Sequence, residues 1–337
     1  MYKVKLTLTF LILSIALSFS NSNELDKFKG FFNFSYDESK DKIFLEVDKL
    51  DYEFLYIGSL ASGVGSNDIG LDRGQLGLEK LVKFVKKGNK ILLVEPNLFY
   101  RAQTENISEK KSVEQAFAKS VIFGFEIVET NNGHYLIDFT PFLLYDRHGV
   151  AKRLRDSKQG SYKVDKSKSA IEIFNTKAFP ENVEFEALLT FSGEAKGNMI
   201  RSVTPDPDNV SVVQHHSFIK LPDNNYKPRK FDPRSGAISI SFMDYSTPID
   251  EPITKKFVIR HRLEKKNPEL EISEAVEPII YYLDPGTPEP VKSALLDGGR
   301  WWNQAYESIG FKDAFQVKML PEAVSYTHLT LPTNREV

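Results

Sequence analysis

The stretch that most constrains the fold lies near the end of the chain, where a strand of the buried type leads into a helix. Residues 279–283 form a continuous apolar and aromatic run, IIYYL, which is typical of a strand covered on both faces. A turn at Asp284-Pro285-Gly286 follows, because proline fixes φ and glycine tolerates a positive φ. Thr287 as N-cap and Pro288 at the first helical position then predict the start of a helix.

The helix itself is predicted from apolar residues that recur at three- and four-residue steps and so form one face. These residues are Val291, Ala294, Leu295, Gly298, Trp302, Ala305 and Ile309. Gly310 is suited to end the helix, and residues 315–320 predict the next strand. The order strand-helix-strand predicts a right-handed crossover and a sheet with at least one parallel pair.

The preceding region, residues 30–260, is predicted to be rich in β-strands with few helices. Its apolar segments are short and separated by turn-forming residues, and Asn131-Asn132-Gly133 predicts a β-hairpin turn. The same patterns predict a helix over residues 112–120, capped by Ser112, and an exposed basic loop over residues 152–168. The chain is therefore expected to be α+β, with a β-rich N-terminal region followed by the first strand-helix-strand of an α/β domain.

The N-terminus and the composition indicate an exported protein. Lys3 and Lys5 precede an apolar run from Leu6 to Phe19, so residues 1–20 are predicted to be a signal peptide rather than a permanent membrane span. The 337-residue sequence has no cysteine, which excludes disulfides and thiolate chemistry. Its formal charge of −2 gives no electrostatic case for binding nucleic acid. We expect a periplasmic or extracellular location.

The densest glycine segment, residues 58–77, is predicted to be a structural loop. Its six glycines disfavour a regular element, and it lacks the G-x-G-x-x-G and G-K-[ST] patterns of phosphate-binding loops. We expect side-chain hydrogen bonds from Asp68, Asp72 or Arg73 to backbone groups to hold its shape. A ligand site around an open pocket is the alternative.

The histidines do not form a recognisable metal or catalytic motif. They are His134, His148, His215, His216, His261 and His328. The sequence contains no H-E-x-x-H, and an H-x-x-E-H pattern from His261 fails because Lys265 occupies its last position. His215 and His216 are adjacent on a predicted strand, so their side chains are expected on opposite faces and do not readily share one metal.

Other familiar signatures are also missing from the sequence. G-x-S-x-G is absent, and Asp206 with Asp208 is more typical of a turn than of a calcium loop. The mixed charges of residues 260–266 are typical of a solvated face. We therefore predict no catalytic, cofactor-binding or metal-ligating residue in this chain.

Several motifs taken together resemble those of a family of large exported bacterial zinc-dependent metalloproteases. They are GSNDIGLDRGQLG (65–77), RAQTEN (101–106), QHHSFIKLPD (214–223), FDPRSG (231–236), RHRLEKKNP (260–268) and the segment from Glu277 to Phe315. In that family, two N-terminal domains of unknown function precede a metzincin-like catalytic domain. The resemblance implies that residues 278–310 are the first strand and first helix of that domain, which would be incomplete in this chain.

The resemblance also implies the chemistry of the whole enzyme, in which a zinc-activated water hydrolyses a protein or peptide substrate. The family's zinc ligands and general base lie on a helix bearing H-E-x-x-H-x-x-G-x-x-H, which this sequence lacks. No zinc ligand is therefore carried over, and no zinc is expected to bind this chain. The resemblance ends after residue 323, so we expect residues 324–337 to be a non-native tail in which His328 has no function.

The expected organisation and function follow from these points. The parts are a signal peptide (1–20), a small β-meander domain (26–73), a β-rich domain (78–268), the start of a catalytic domain (274–323) and the tail (324–337). The expected function is that of the N-terminal portion of a secreted zinc metallopeptidase, inactive by itself. The alternative is a non-catalytic β-rich extracellular binding module for glycan or protein, which should have a closed core. Within the first hypothesis, residues 26–268 are either a pro-region or a permanent scaffold.

Overall fold

The computed structural model describes residues 25–321, so the predicted signal peptide and the predicted tail lie outside the described residues. The strands are β1 (Asp26–Phe28), β2 (Phe34–Asp37), β3 (Lys42–Val47), β4 (Glu53–Ser62), β5 (Leu76–Lys87), β6 (Lys90–Glu95), β7 (Tyr100–Arg101), β8 (Ser120–Asn131), β9 (His134–Asp138), β10 (Gly160–Val164), β11 (Ala170–Ile171), β12 (Lys177–Ala178), β13 (Asn182–Ala195), β14 (Asn209–Lys220), β15 (Ser239–Asp244), β16 (Thr254–Val258), β17 (Ser273–Glu274), β18 (Ile279–Leu283), β19 (Phe311–Lys312) and β20 (Phe315–Met319). The α-helices are α1 (Ile107–Ala116), α2 (Thr140–Leu143), α3 (Val150–Asp156), α4 (Asn198–Val203) and α5 (Val291–Glu307). This mostly β composition confirms the α+β class.

Thirteen strands form one large antiparallel sheet, which we call the curled sheet. Its order is β1-β2-β3-β9-β8-β6-β5-β4-β14-β13-β10, and β11 and β12 also pair with β13. The two ends of the sheet approach each other, because Phe31 N donates to Phe179 O at 2.7 Å and Ile171 N donates to Asp41 Oδ2 at 3.1 Å. Gly30 permits this approach, since a Cβ there would lie 2.5 Å from the same Phe179 oxygen.

The inner face of the curled sheet encloses a core rich in phenylalanine. Alternate residues of each strand point to this face, as Val183 and Phe185 do on β13. The largest side chains that are almost fully buried include Phe32, Phe54, Phe84, Phe139, Phe142, Phe185, Phe191 and Phe218. The ring of Phe218 lies 5.0 Å from that of Phe54 and 6.2 Å from that of Phe185, between centroids. Aromatic packing across strands that are remote in sequence therefore holds the sheet in its curled shape.

Both β-rich ranges predicted as domains contribute to this one sheet. β3, from residues 26–73, pairs with β9, from residues 78–268, and β4 pairs with β14. One core cluster contains residues from both ranges, including Phe32 and Phe218 with ring centroids 6.3 Å apart. The predicted division falls in the loop between β4 and β5.

The predicted hairpin is confirmed, whereas the predicted helix start is wrong. β8 and β9 form the hairpin, and both Asn132 and Gly133 have positive φ in its turn. The helix α1 begins at Ile107 instead of residue 112, because Asn106 is the N-cap. Asn106 Oδ1 accepts a hydrogen bond from Ser108 N at 3.1 Å.

The predicted basic loop over residues 152–168 is also wrong in part. β10 lies within it and pairs with β13 along the edge of the curled sheet. Tyr162 of β10 is buried, and its hydroxyl donates to Pro207 O at 2.6 Å. Lys163 is exposed on β10, and the other lysines of the segment lie outside this strand, so the sequence pattern resembled that of a loop.

A smaller sheet of β16, β15 and β7 follows the curled sheet. Asp244, at the end of β15, is buried, and its Oδ1 accepts from Gln103 N at 3.0 Å and from Ser246 N at 3.1 Å. Burial opposes ionisation of Asp244, but hydrogen bonds from Ser246 and Gln103 outweigh it and lower the pKa of this carboxyl. The RAQTEN motif is thereby anchored to β15, which gives it a structural role.

Residues 273–321 form what we call the C-terminal α/β unit. β18 and β20 are parallel and α5 lies between them in sequence, as predicted. The helix packs on β20 at Gly299, where a Cβ would lie 2.6 Å from Val317 Cγ2. It begins at Val291 and not at Pro288, since Pro290 and not Thr287 occupies the N-cap position, and no side chain caps the helix there.

The apolar face predicted for α5 is not the face that packs. No residue of α5 is buried, and Val291, Leu295 and Trp302 of the predicted face are 50%, 49% and 63% exposed. The helix contacts only β19 and β20 substantially, so the rest of its surface remains uncovered among the described residues. Over residues 25–321, no helix has the length and apolar character needed to span a membrane.

Candidate functional site

Two adjacent histidines near the middle of β14 point to opposite faces of the curled sheet, as the sequence predicted. His216 lies on the core side, where Tyr56 OH is 3.0 Å from its Nδ1. His215 lies on the outer side, between Glu184 and Glu186. The pair therefore forms two separate polar sites.

The outer site is an imidazole held between two glutamates of β13. His215 Nε2 is 2.8 Å from Glu184 Oε2, and its Nδ1 is 3.1 Å from Glu186 Oε1. The strand register produces this arrangement, because Glu186 is directly opposite His215 and Glu184 is opposite Ser217. The side chains of the two glutamates are only 3% and 5% exposed.

Every carboxylate oxygen of this site has a donor. Asn182 Nδ2 donates to Glu184 Oε1 at 2.5 Å, and Asn175 Nδ2 donates to Glu186 Oε2 at 2.8 Å. Burial alone would lower the pKa of His215, but hydrogen bonds to the two glutamates and their charges raise it to about 9. At neutral pH the ring is therefore a cation that donates to both carboxylates.

Ser217 gives this site a superficial likeness to a Ser-His-Glu hydrolase triad, since its Oγ lies 3.2 Å from His215 Nε2. A triad requires a neutral imidazole that can accept the serine proton. Ser217 is buried and donates to Glu184 instead, and the protonated His215 cannot act as a base. The network is suited to fixing the register of β13 against β14, not to activating a nucleophile.

The inner site centres on His216, which is completely enclosed by the core. Burial lowers the pKa of His216 to about 3, and the charges of His215, Arg147 and His148 act in the same direction. Burial also raises the pKa of Tyr56 to about 12. Both groups are therefore neutral at physiological pH, and His216 Nε2 has no hydrogen-bond partner among the described residues.

The segment after α2 closes this inner site. Gln214 Oε1 accepts from Arg147 N at 3.0 Å and from His148 N at 2.9 Å, while its Nε2 donates to Tyr145 O at 2.9 Å. The Arg147 guanidinium lies 4.9 Å from the ring centroid of Phe142. Burial lowers the pKa of His148, whose Nε2 lies 3.2 Å from a side-chain oxygen of Gln75. These contacts attach a surface segment to the core instead of leaving a catalytic group open to substrate.

The glycine-rich segment is a shorter loop than predicted, because β4 extends to Ser62 and β5 begins at Leu76. Val64, Ile69 and Leu71 of the loop are buried. Val64 N also donates to Leu71 O at 2.8 Å. Apolar burial and backbone hydrogen bonds therefore hold the loop, which supports the structural interpretation.

The side chains of Asp68 and Asp72, two of the three predicted to hold this loop, do not do so. Over residues 25–321, neither Asp68 nor Asp72 forms a side-chain hydrogen bond, and both lie at the surface. Arg73 forms an ion pair with Asp284 of the C-terminal α/β unit. The prediction is wrong for the two aspartates, because the loop's buried apolar side chains already fix its shape.

The remaining sequence candidates have local roles. Asp206 Oδ1 accepts from Asp208 N at 3.1 Å, as expected for a turn. His134 Nδ1 lies 2.5 Å from Glu46 Oε1 at the surface. Across the described range, residues 25–321, no three His, Asp or Glu side chains are grouped so that they could hold a metal ion.

A surface pocket of about 390 Å³ lies where the C-terminal α/β unit joins the rest of the chain. Its lining consists of Lys266, Glu274, Ala275, Pro278, Asp313 and Gln316. Lys266 Nζ lies 2.8 Å from Glu274 Oε2, so these two charges neutralise each other. The pocket is a polar gap at a junction and brings together no recognisable acid, base and nucleophile.

Sequence reasoning missed Glu184 and Glu186. Each alternates with an apolar residue on its strand, which is also the pattern of a solvated outer face. Their burial depends on contacts with His215, which is 31 and 29 residues away in sequence. No local signal could have shown this pairing.

A comparison with protein families identifies the region that contains these sites. The family model described as a domain of unknown function, DUF5117, matches residues 74–266, which is more than half of the chain. The chain belongs to this family. The DUF5117 region contributes both glutamates and both histidines, whereas Tyr56 comes from the segment before it. No curated protein and no solved structure matches the chain.

Proposed function

We propose that this chain is the N-terminal portion of an exported zinc-dependent metallopeptidase. In this proposal, the curled sheet and the three-stranded sheet after it form a non-catalytic scaffold. The C-terminal α/β unit begins the metzincin-like catalytic domain. The motifs shared with that protease family, from Gly65 to Phe315, support the proposal along most of the described chain.

The observation that carries the proposal is the apolar surface of the C-terminal α/β unit that the described residues, 25–321, leave uncovered. Leu295, Trp301 and Trp302 are exposed along α5, and Tyr281 and Tyr282 are exposed on β18. Parallel sheets in folded domains are covered on both faces, and two strands alone do not make a stable sheet. Such a surface fits the interior of a larger α/β domain, with further strands and helices packed on it.

The residues between 25 and 321 do not fit a zinc site, since no three of their His, Asp or Glu side chains are arranged so that they could hold a metal ion. In the proposed enzyme, zinc and the water it activates belong to residues outside this range. No catalytic step is assigned to the curled sheet, whose buried histidines have structural partners.

The experiment that tests the proposal compares the product of the complete reading frame with the 337-residue chain. We expect the complete product to carry about one zinc ion per chain and to cleave an unfolded protein substrate in a chelator-sensitive manner. A variant in which the glutamate of H-E-x-x-H is replaced by glutamine should keep zinc and lose cleavage. A complete product without zinc or peptidase activity would contradict the proposal.

A binding module is the second candidate, and exposed aromatic side chains at one end of the three-stranded sheet favour it. Phe99 and Tyr245 are exposed there, beside the stacked rings of Tyr100 and Phe117, whose centroids are 3.9 Å apart. Exposed aromatic rings are common anchors for protein and glycan partners. If Phe99→Ala and Tyr245→Ala abolish binding to a glycan or protein array without lowering the melting temperature, this second function is supported.

A further inference from the structure

The C-terminal α/β unit is joined to the preceding chain by a short backbone ladder. Residues 264–266 run antiparallel to residues 274–276. Lys266 N donates to Glu274 O at 2.9 Å, and Val276 N donates to Glu264 O at 2.8 Å. The salt bridge between Lys266 and Glu274 strengthens the same ladder. The last residues of the DUF5117 region therefore form an edge of the sheet that belongs to the C-terminal unit.

This ladder continues into the C-terminal α/β unit itself. β17 pairs in parallel with β19, and Ser273 N donates to Gly310 O at 3.1 Å. Ser273 and Ala275 are buried. The Nζ of Lys265 lies 5.8 Å from the ring centroid of Phe311. Backbone pairing, burial and a side-chain contact thus act together at this junction.

A second contact lies far from the ladder in sequence. Arg73, in the loop between β4 and β5, forms an ion pair with Asp284, which is 211 residues away. Asp284 Oδ1 also accepts from Gly286 N at 2.7 Å and so shapes the turn between β18 and α5. The loop presents Arg73 from a fixed position because Leu71 beside it is buried. The ladder and the ion pair together fix the orientation of the C-terminal α/β unit relative to the preceding chain, whereas either contact alone would let the unit rotate about it.

An exposed loop, residues 267–272, lies between the two strands of the ladder. Leu270 and Ile272 are half exposed. The loop's contact with the preceding strand is made by its own carbonyls, since Leu270 O and Glu271 O accept from Lys265 Nζ at 3.0 and 2.7 Å. Cutting the chain in this loop would leave both the ladder and the Arg73–Asp284 pair in place.

We propose that the chain up to Lys266, which includes the curled sheet, is a permanent scaffold of the C-terminal α/β unit and not a pro-region released by cleavage, with residues 264–266 and Arg73 forming the surface that retains the unit. The role of this surface in an enzyme rests on the proposed function. The retention itself rests only on contacts within this chain. The two ideas therefore fail separately, since retention can be measured without zinc or substrate.

The test replaces residues 268–271 with the recognition sequence of a site-specific protease in the full chain and cuts it to completion. We expect most of the cleaved protein to elute as one species in size-exclusion chromatography at physiological salt, at the volume of the uncut chain. The two pieces should separate only in denaturant. Two species under native conditions would overturn the proposal.

Charge variants test whether the contact of Arg73 with Asp284 helps to retain the C-terminal α/β unit after cleavage. Arg73→Glu should weaken retention about fivefold, as expected for loss of a surface ion pair worth ~1 kcal/mol, and Asp284→Arg in the same chain should partly restore it. Arg234→Glu is the matched control, since Arg234 pairs with Asp232 within its own loop, and it should leave retention unchanged. Equal effects of Arg73→Glu and Arg234→Glu would count against the Arg73 contact.

A second measurement uses the uncut native chain and so does not depend on the inserted sequence. Hydrogen exchange should show that the amides of Lys266, Ser273 and Val276 are protected, while those of Glu269 and Glu271 exchange rapidly. If the ladder amides exchange as fast as the loop amides, the junction is a flexible linker and the scaffold proposal is wrong.

Discussion

At the scale of single residues, the adjacent histidines of β14 show how burial and register decide the chemistry of a side chain. His215 is held as a cation between two glutamates, whereas His216, one position further, is neutral within the core. The sequence allowed their opposite orientations to be predicted from the alternation of a strand. It could not reveal Glu184 and Glu186, because strand register is set by contacts between remote residues.

The first prediction concerns stability in acid. The folded-state pKa of His216, about 3, lies below its ordinary value of 6.5, so the unfolded chain binds more protons at acidic pH. Well above pH 6.5, His216 therefore does not lower the free energy of unfolding. Between pH 6.5 and pH 3, it lowers the free energy of unfolding by about 1.4 kcal/mol for each unit by which the pH falls. His216→Asn keeps an acceptor near the position of Nδ1 for Tyr56 OH but does not titrate. Urea unfolding should show that this variant loses less unfolding free energy per pH unit in acid than the wild type does. An equal loss in the two proteins would contradict a buried, neutral His216.

The second prediction concerns the charge on His215. Its folded-state pKa of about 9 lies above its ordinary value of 6.5, so the stability it contributes is complete below pH 6.5 and disappears as pH rises through 9. Replacing one carboxylate in Glu186→Gln should lower this pKa towards neutrality, measured by NMR titration of the imidazole nitrogens. Glu46→Gln is the control, because Glu46 pairs with His134 at the surface and should leave His215 unchanged. A pKa near neutrality in the wild type would exclude the cationic network.

At the scale of elements, strands were easier to predict than helix ends and packed faces. The short apolar segments between turn-forming residues predicted a β-rich region, within which β13 and β14 lie, and Asn132-Gly133 was sufficient for the hairpin. The start of α1 was missed because Asn106 competes with Ser112 as a cap. The apolar stripe of α5 was recognised, but the face that packs is set by Gly299 against Val317, a contact that periodicity does not reveal.

The third prediction tests the packing of the glycine-rich loop. A Cβ on Gly63 would lie 2.3 Å from Leu71 O, whereas a Cβ on Gly236 would have no heavy atom within 4 Å. Neither glycine has a positive φ, so the comparison isolates steric crowding from backbone strain. We expect Gly63→Ala to cost about 1–3 kcal/mol of unfolding free energy and Gly236→Ala less than about 0.5 kcal/mol. Equal melting temperatures for the two variants would show that the loop is not tightly packed.

At the scale of the whole molecule, the α+β class was predictable and the closure of the sheet was not. Closure depends on backbone contacts such as that between Phe31 and Phe179, and on aromatic contacts between β-rich ranges that looked separate in sequence. The DUF5117 match begins at the loop between β4 and β5, inside this sheet. The DUF5117 region therefore lacks β1 to β4, although these strands share its sheet and its core.

The fourth prediction follows from this shared core. A fragment of residues 74–266 lacks Phe32, Phe54 and Tyr56 and leaves β14 without its partner β4. We expect that fragment to unfold without a cooperative transition, whereas residues 25–266 should melt cooperatively with native aromatic circular dichroism. A cooperative transition with native aromatic signals in the shorter fragment would show that it folds independently.

Long-read sequencing of the genomic locus across codon 324 tests the proposal that the C-terminal α/β unit begins a zinc peptidase domain. We expect the reading frame to continue from the C-terminal α/β unit into a segment encoding H-E-x-x-H-x-x-G-x-x-H. A genuine stop codon directly after Val337 would contradict the proposal and favour a binding module.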